Sequence, residues 1–191
     1  MTNTPDRLIP PDTLKAAIDL WGQAGEAHWI PVRGSSMLPL LREGDQLLVA
    51  HGKWQIRRGD IVVFQRQDGL IAHRVLRVQS NEGEHTLRTK GDHVLGLDPV
   101  LTEDEVLGRV LQVRCADKML KLDTRLWGWV GRWVALVMLA QAGIYHRLGS
   151  RSAGDVRKTI SYLCLGILQA NGLCLRAILA LFGRWRRLPK M

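Results

Sequence analysis

Apolar and polar positions follow three different rhythms along the chain. Over residues 1–27, Leu14, Ile18 and Trp21 recur at helical spacing after Pro10-Pro11, and Asp12 or Thr13 can cap, which predicts a short amphipathic helix. Over residues 28–120 the rhythm becomes short runs, "QLLVAH", "DIVVFQR", "LIAHRVLRV", "HTLRT" and "VLGRVLQVRC", separated by Gly44-Asp45, Gly59-Asp60, Asp68-Gly69 and Gly91-Asp92. Runs of this length rich in Val, Ile and Leu, with turn dipeptides between them, predict a mainly β, antiparallel domain. Asp68-Gly69 predicts a hairpin that pairs "IVVFQR" with "IAHRVL".

Over residues 121–191 the strand pattern stops. Two long apolar segments follow, Leu126–Tyr145 and Ile160–Phe182, each close to the roughly 20 residues that cross a bilayer. Trp127, Trp129 and Trp133 gather at one end of the first segment with Tyr145 at the other, as in interfacial aromatic belts. Arg176, with Gln169 and Asn171 nearby, falls inside the second segment, where an arginine costs about 2.5–3.5 kcal/mol on insertion scales. The expectation is therefore a C-terminal helical pair that inserts into or lies on a membrane, against the alternative of a soluble hairpin packed on the β domain.

Charge sharpens this picture. The 191 residues carry a formal net charge of +9, which calls for an anionic partner. Much of the excess lies late, in "HRLGSRSAGDVRK" and "GRWRRLPKM", beside apolar runs and not in a basic arm, which favours a lipid surface over nucleic acid. Cys115, Cys164 and Cys174 form no CxxC pair, so neither a disulfide framework nor a zinc site is expected. The first residues, "MTNTPDRLIPPDTLKAAIDLWGQ", carry charges and prolines where a signal peptide would need an apolar core.

The chemistry concentrates in "PVRGSSMLPLLREGD". Gly34 permits close backbone approach and Pro39 fixes the chain after the turn, so Ser35 and Ser36 are either plain turn residues or hydroxyls held on a constrained loop. A nucleophilic serine also needs amide donors for the oxyanion and a base within reach.

Ser36-Met37-Leu38-Pro39 followed by Gly44-Asp45 and a strand resembles the signal peptidase family. Further matches follow in order: "RGDIVVFQ" from Arg58, "IAHRVLRV" from Ile71, "TKGD" from Thr89 and "DEVLGRV" from Asp104. The resemblance covers about half the chain and implies a signal-peptidase-like β catalytic domain. Commoner bacterial signal peptidases and the related SOS-repressor autoproteases place a lysine base in the second box, whereas here the residue after Ile71-Ala72 is His73. This is similar to the endoplasmic-reticulum type, also found in archaea, which pairs serine with histidine. Imidazole suits the task because its ordinary pKa lies near neutrality.

The resemblance implies an orienting aspartate a few residues beyond "TKGD". Asp98 has that spacing, with Asp92 as the alternative orienter and a turn cap as its ordinary role. His28, His51, His85 and His93 fall outside the boxes and read as surface or turn histidines. Many signal peptidases carry a small hydroxyl residue where this chain has Gly34, so the oxyanion would rely on the Ser36 amide, helped by Ser35.

The expected function is a serine endopeptidase that cleaves a signal or leader peptide, with Ser36, His73 and Asp98 catalytic and no metal or organic cofactor. Its partners would be a peptide or precursor-protein substrate and a lipid membrane, with no nucleic acid, and its place the cell membrane through the C-terminal helices, or alternatively the cytoplasm or membrane periphery. A second reading keeps the fold as an inactive, membrane-associated peptide-binding module. A third, self-cleavage at Ala24-Gly25, is disfavoured by the proximity of that bond to Ser36 and by the missing lysine base.

Overall fold

The computed structural model describes residues 27–52, 55–66, 69–81, 84–116, 118–149 and 155–181. The helix expected over residues 1–27 and the basic tail after residue 181 lie outside them, except for Ala27, which opens the first strand. The strands are β1 (Ala27–Pro31), β2 (Gln46–Ala50), β3 (Ile61–Arg66), β4 (Gly69–Asn81), β5 (Glu84–Lys90), β6 (Leu101–Thr102), β7 (Val106–Cys115) and β8 (Lys118–Lys121). A single 3-10 turn, Glu103–Glu105, leads into β7, and the helices α1 (Arg125–Gly149) and α2 (Asp155–Leu181) follow.

All strand pairs are antiparallel, in the order β1-β2-β7-β3-β4-β5-β6, with β8 added to β7. The expected β3–β4 hairpin is present, in register from Ile61↔Arg74 to Arg66↔Gly69, while the turn residues themselves fall outside the described set. β3 explains the sheet's form. Its unbroken apolar run is buried on both faces, Ile61 and Val63 entering one core and Val62 and Phe64 another. The first core also receives Met37, Leu40 and Leu41 from the loop after β1 and Leu175 and Leu179 from α2. The second joins Val75, Leu87 and Leu101.

The two helices lie along the β domain. On α1 the buried positions Trp127, Val134, Ala135, Met138 and Ala142 share one face at helical spacing, and Leu76 of β4 packs against Val134, Ala135 and Met138. At one point the chains meet backbone to backbone: a Cβ added to Gly59 would lie 2.4 Å from the carbonyl carbon of Gly131. On α2 the inner face is Cys164, Leu168, Asn171, Leu175 and Leu179, and Gly172 lies beside Pro39.

Polar ties fix the same packing. Lys90 Nζ at the end of β5 donates to Gln141 Oε1 (2.9 Å), and Gln141 Nε2 donates to the Cys164 carbonyl (2.8 Å), so one buried chain links sheet, α1 and α2. Arg74 grips Asp92 through Nε (2.8 Å) and one terminal nitrogen (2.6 Å) while its other nitrogen donates to the Gly59 carbonyl. Both residues are buried, and removing one partner of such a pair costs roughly 3–5 kcal/mol.

The sequence predicted two segments of spanning length. Among the described residues one qualifies, Tyr162–Ala180 in α2, with mean hydropathy 1.7 and 28% of it buried. α1 falls short because Arg125, Arg132, Gln141, His146 and Arg147 interrupt its apolar surface. The outward faces nonetheless stay apolar, with Leu126, Trp129, Trp133 and Leu136 on α1 and Tyr162, Leu163, Leu165 and Leu173 on α2 exposed.

Candidate active site

The loop after β1 is anchored from below. Met37, Leu40 and Leu41 sink into the core, and Pro39, joined to Leu38 by a cis peptide, is buried beside α2. This leaves Ser36 half-buried at the rim and Ser35 exposed. A second tether comes from the loop after β5: the His93 N–H donates to the Ser36 carbonyl (2.8 Å), and the Asp92 N–H to Met37 Sδ (3.4 Å). Ser36 is thus held by its neighbours on both sides.

His73 stands in the middle of the sheet on β4, opposite Val62 of β3, with the Phe64 ring edge-on to its imidazole at 6.1 Å. Its Nδ1 lies 2.7 Å from Asp98 Oδ2 and its Nε2 3.0 Å from Ser36 Oγ. A carboxylate only accepts, so Nδ1 carries the proton and donates; Nε2 is then the acceptor for the Ser36 hydroxyl. That is the tautomer a general base requires.

Asp98 is oriented in turn. Thr89 Oγ1 donates to the same Oδ2 at 2.7 Å, the Asp98 N–H donates to the Thr89 carbonyl (3.0 Å), and Arg88 donates to the Asp98 carbonyl at 3.2 Å. Burial works against the charged carboxylate. The hydrogen bond and charge of His73, the Thr89 hydroxyl and the more distant Arg66 outweigh it, and hold Asp98 below its ordinary value.

The other sequence-predicted positions are placed differently. Asp92, the alternative orienter, spends its carboxylate on Arg74 and so neither orients His73 nor caps its own turn by side chain. His51 is not a surface histidine: it is 1% exposed, and its Nδ1 donates to the Leu107 carbonyl (2.9 Å) because β7 closes over the end of β2. His85 and His93 are exposed and His28 is half-buried. Gly34 has φ of +82°, a conformation a hydroxyl-bearing residue adopts only under strain.

A cleft of about 310 Å³ opens beside Ser36 and His73. Ile30, Val32, Leu47, Val63, Ile71 and Ala72 give it apolar walls. Along Gly69–His73, β4 pairs with β3 on one edge and with no strand on the other among the described residues, since its pairing with β5 begins at Arg74.

The model of the Peptidase S24-like family matches residues 6–110, more than half of the chain. The chain belongs to the Peptidase S24-like family. It is therefore a serine peptidase of the superfamily that joins the self-cleaving repressors with the signal peptidases, a broader placement than the signal peptidase subtype its motifs resemble. No curated protein and no solved structure matches it significantly.

Within a Peptidase S24-like chain the position of the lysine matters. Lys90 is fully buried and lowered to about 8 by burial, opposed by Asp92, Cys164 and Asp98, the sort of lysine that can act as a base. Its ammonium, however, is committed to Gln141 on the helix side of β5, while Thr89, the preceding residue, turns to Asp98 on the other side. The nitrogen beside Ser36 Oγ is His73 Nε2, not the Lys90 amine. Sequence reasoning overlooked Thr89 and Gly91, although both lie inside the "TKGD" box; the alternation of side chains along β5 was the available signal. A Cβ on Gly91 would meet the Ser36 carbonyl at 2.7 Å and His73 Nε2 at 3.0 Å, so only glycine fits between Ser36 and His73.

Proposed function

We propose that this protein is a Ser-His-Asp endopeptidase that cleaves an extended peptide of the signal or leader type. The observation that carries the reading is the unbroken hydrogen-bonded line from Ser36 Oγ through His73 to Asp98 Oδ2, with steps of 3.0 and 2.7 Å. Ser36 Oγ attacks the scissile carbonyl as its proton passes to His73 Nε2. Asp98 stabilises the imidazolium, which then hands the proton to the departing amine. Water, deprotonated by His73, resolves the acyl-enzyme. The Ser36 amide, with Ser35 beside it, would supply the oxyanion donors.

The apolar cleft and the open edge of Gly69–His73 support an extended substrate added as a strand, with its side chains in the cleft. The histidine base favours the endoplasmic-reticulum-like mechanism over a Ser-Lys one. The apolar outer faces of α1 and α2 support an enzyme that works at a membrane.

The test is labelling by a serine-directed acylating probe. Wild type is expected to label, and Ser36→Ala and His73→Ala to lose the label while keeping their folded circular-dichroism spectra. Equal background labelling of all three folded proteins would sink the enzyme reading and favour the peptide-binding module. Loss of mass at Ala24-Gly25 on prolonged incubation, absent from Ser36→Ala, would instead make the chain its own substrate.

A further inference from the structure

The start of α1 forms one wall of a second cleft, remote in composition from the catalytic one. About 220 Å³ in volume, it is lined by Arg57, Arg58, Arg109, Arg125 and Arg132 against two carboxylates, Asp60 and Asp123. Asp60 already receives Arg109 at 3.6 Å and the Arg57 N–H at 2.9 Å. The Arg109 guanidinium is thus turned to Asp60 and that of Arg57 to Gln55 Oε1 (2.7 Å), so the exposed Arg58, Arg125 and Arg132 form the rest of the basic rim, and the lining as a whole is positive by three charges, five arginines less two aspartates.

The same cleft borders an apolar surface. Trp129 belongs to its lining, is 70% exposed, and carries the Arg132 guanidinium over its ring at 5.6 Å. With 100° between successive residues, Arg125, Trp129, Arg132, Trp133 and Leu136 fall on one face of α1, opposite the face that packs on Leu76. Tyr162, Leu163, Leu165 and Leu173 of α2 add further exposed apolar surface to the helical pair. Guanidiniums set beside exposed tryptophans, continuous with an apolar helix face, match the layered chemistry of an anionic bilayer: phosphate, interfacial belt, acyl chain.

We propose that the cleft lined by Arg58, Arg125 and Arg132 binds the phosphate of an anionic phospholipid, docking α1 in the plane of the membrane with Trp129 and Trp133 at the headgroup boundary. The inference rests on the membrane-associated reading given above and deepens it. It specifies a peripheral, charge-selective attachment in which the inner faces of both helices remain on the β domain. The occupant is a bilayer, because a free phosphate has no use for the adjoining apolar face.

The experiment is flotation of the full chain with vesicles of phosphatidylcholine alone and of phosphatidylcholine mixed with phosphatidylglycerol. Wild type is expected to float with the mixed vesicles far better than with the neutral ones, and to lose the preference as salt rises. The triple variant Arg58→Gln, Arg125→Gln, Arg132→Gln is expected to bind mixed vesicles about one hundredfold less tightly, each near-surface arginine contributing about 1 kcal/mol. Trp129→Ser with Trp133→Ser is expected to weaken binding to both vesicle types.

Equal flotation of wild type with both vesicles, or undiminished binding by the triple variant, would overturn the proposal. So would thermal stabilisation by soluble glycerol phosphate without any flotation, which would make the site one for free phosphate. Labelling of Ser36 by the acylating probe, measured without lipid on the same samples, keeps the two readings apart. The triple variant is expected to label like wild type, which reports both its fold and its catalytic pair.

Discussion

Thr89 and His73 share a single oxygen. The Thr89 hydroxyl and the His73 Nδ1–H both donate to Asp98 Oδ2, each at 2.7 Å. The hydrogen-bonded line from Ser36 therefore does not end at a carboxylate free to rotate; it ends at one pinned by the strand beside it. β5 sets this up by register, with Thr89 opposite Val75 two residues beyond His73 on β4.

Asp98→Asn is expected to cost the most after changes at Ser36 and His73 themselves. An amide at this position can donate to Nδ1 and so turn the imidazole to the wrong tautomer, for which losses on the order of ten-thousandfold in kcat are the precedent. Thr89→Val removes one bond to the carboxylate, roughly 1.5–3 kcal/mol, and should lower kcat by about tenfold or more with KM little changed. Thr89→Ser should restore it. The sign of the pH effect follows from Asp98 lying below its ordinary value of 3.8. Its stabilising charge is fully present above that pH and is lost as pH falls through the lower, folded-state value. Thr89→Val should therefore raise the pH at which stability is lost on the acid side, read as urea midpoints over a low-pH series.

Gly91→Ala tests the spacing between Ser36 and His73. The added methyl would lie 2.7 Å from the Ser36 carbonyl and 3.0 Å from His73 Nε2, and one of the two must give way. The His93 N–H also holds the Ser36 carbonyl from this loop, so the shift should pass directly to Ser36 Oγ. Loss of probe labelling by at least tenfold is expected, with thermal stability reduced by roughly 1–3 kcal/mol, as for other overpacked sites. Full labelling would show that the loop relaxes without disturbing the pair.

How much of this was legible in the sequence depends on how local each feature is. The strand runs announced themselves by composition and by Gly-Asp turns. Ser36, His73 and Asp98 could be selected from motifs in order along the chain. Thr89 was passed over although a local pattern, the alternation along β5 that sets it opposite in direction to Lys90, was there to be read; what that pattern lacks is the fold of the loop that brings Asp98 back to it. His51 misled because a polar residue at the end of a strand looks the same whether or not another strand closes over it. The helices left both readings open for a related reason: an apolar residue facing lipid and one facing Leu76 or Met37 have the same composition. Of the polar residues that interrupt α1, Gln141 lies on the packed face, where it bonds Lys90 and the Cys164 carbonyl, whereas Arg125 and Arg132 are exposed on the outer one.

Lys90 offers a test of that docking through pH. Unfolded, its amine titrates at the ordinary 10.5; folded, burial lowers it to about 8. Between these values the unfolded chain binds more protons than the folded one, so stability rises with pH across the window from about 8 to about 10.5. Below it the folded protein must hold a buried ammonium against Gln141 at a cost. The full difference corresponds to roughly 3 kcal/mol. Urea unfolding at a series of pH values should therefore show midpoints climbing above pH 8, and Lys90→Met should remove the climb while leaving the acid-side behaviour of Asp98 intact. If wild type and Lys90→Met shared one flat profile through this window, Lys90 would not be buried against α1, and the packing of the helical pair on β5 would have to be redrawn.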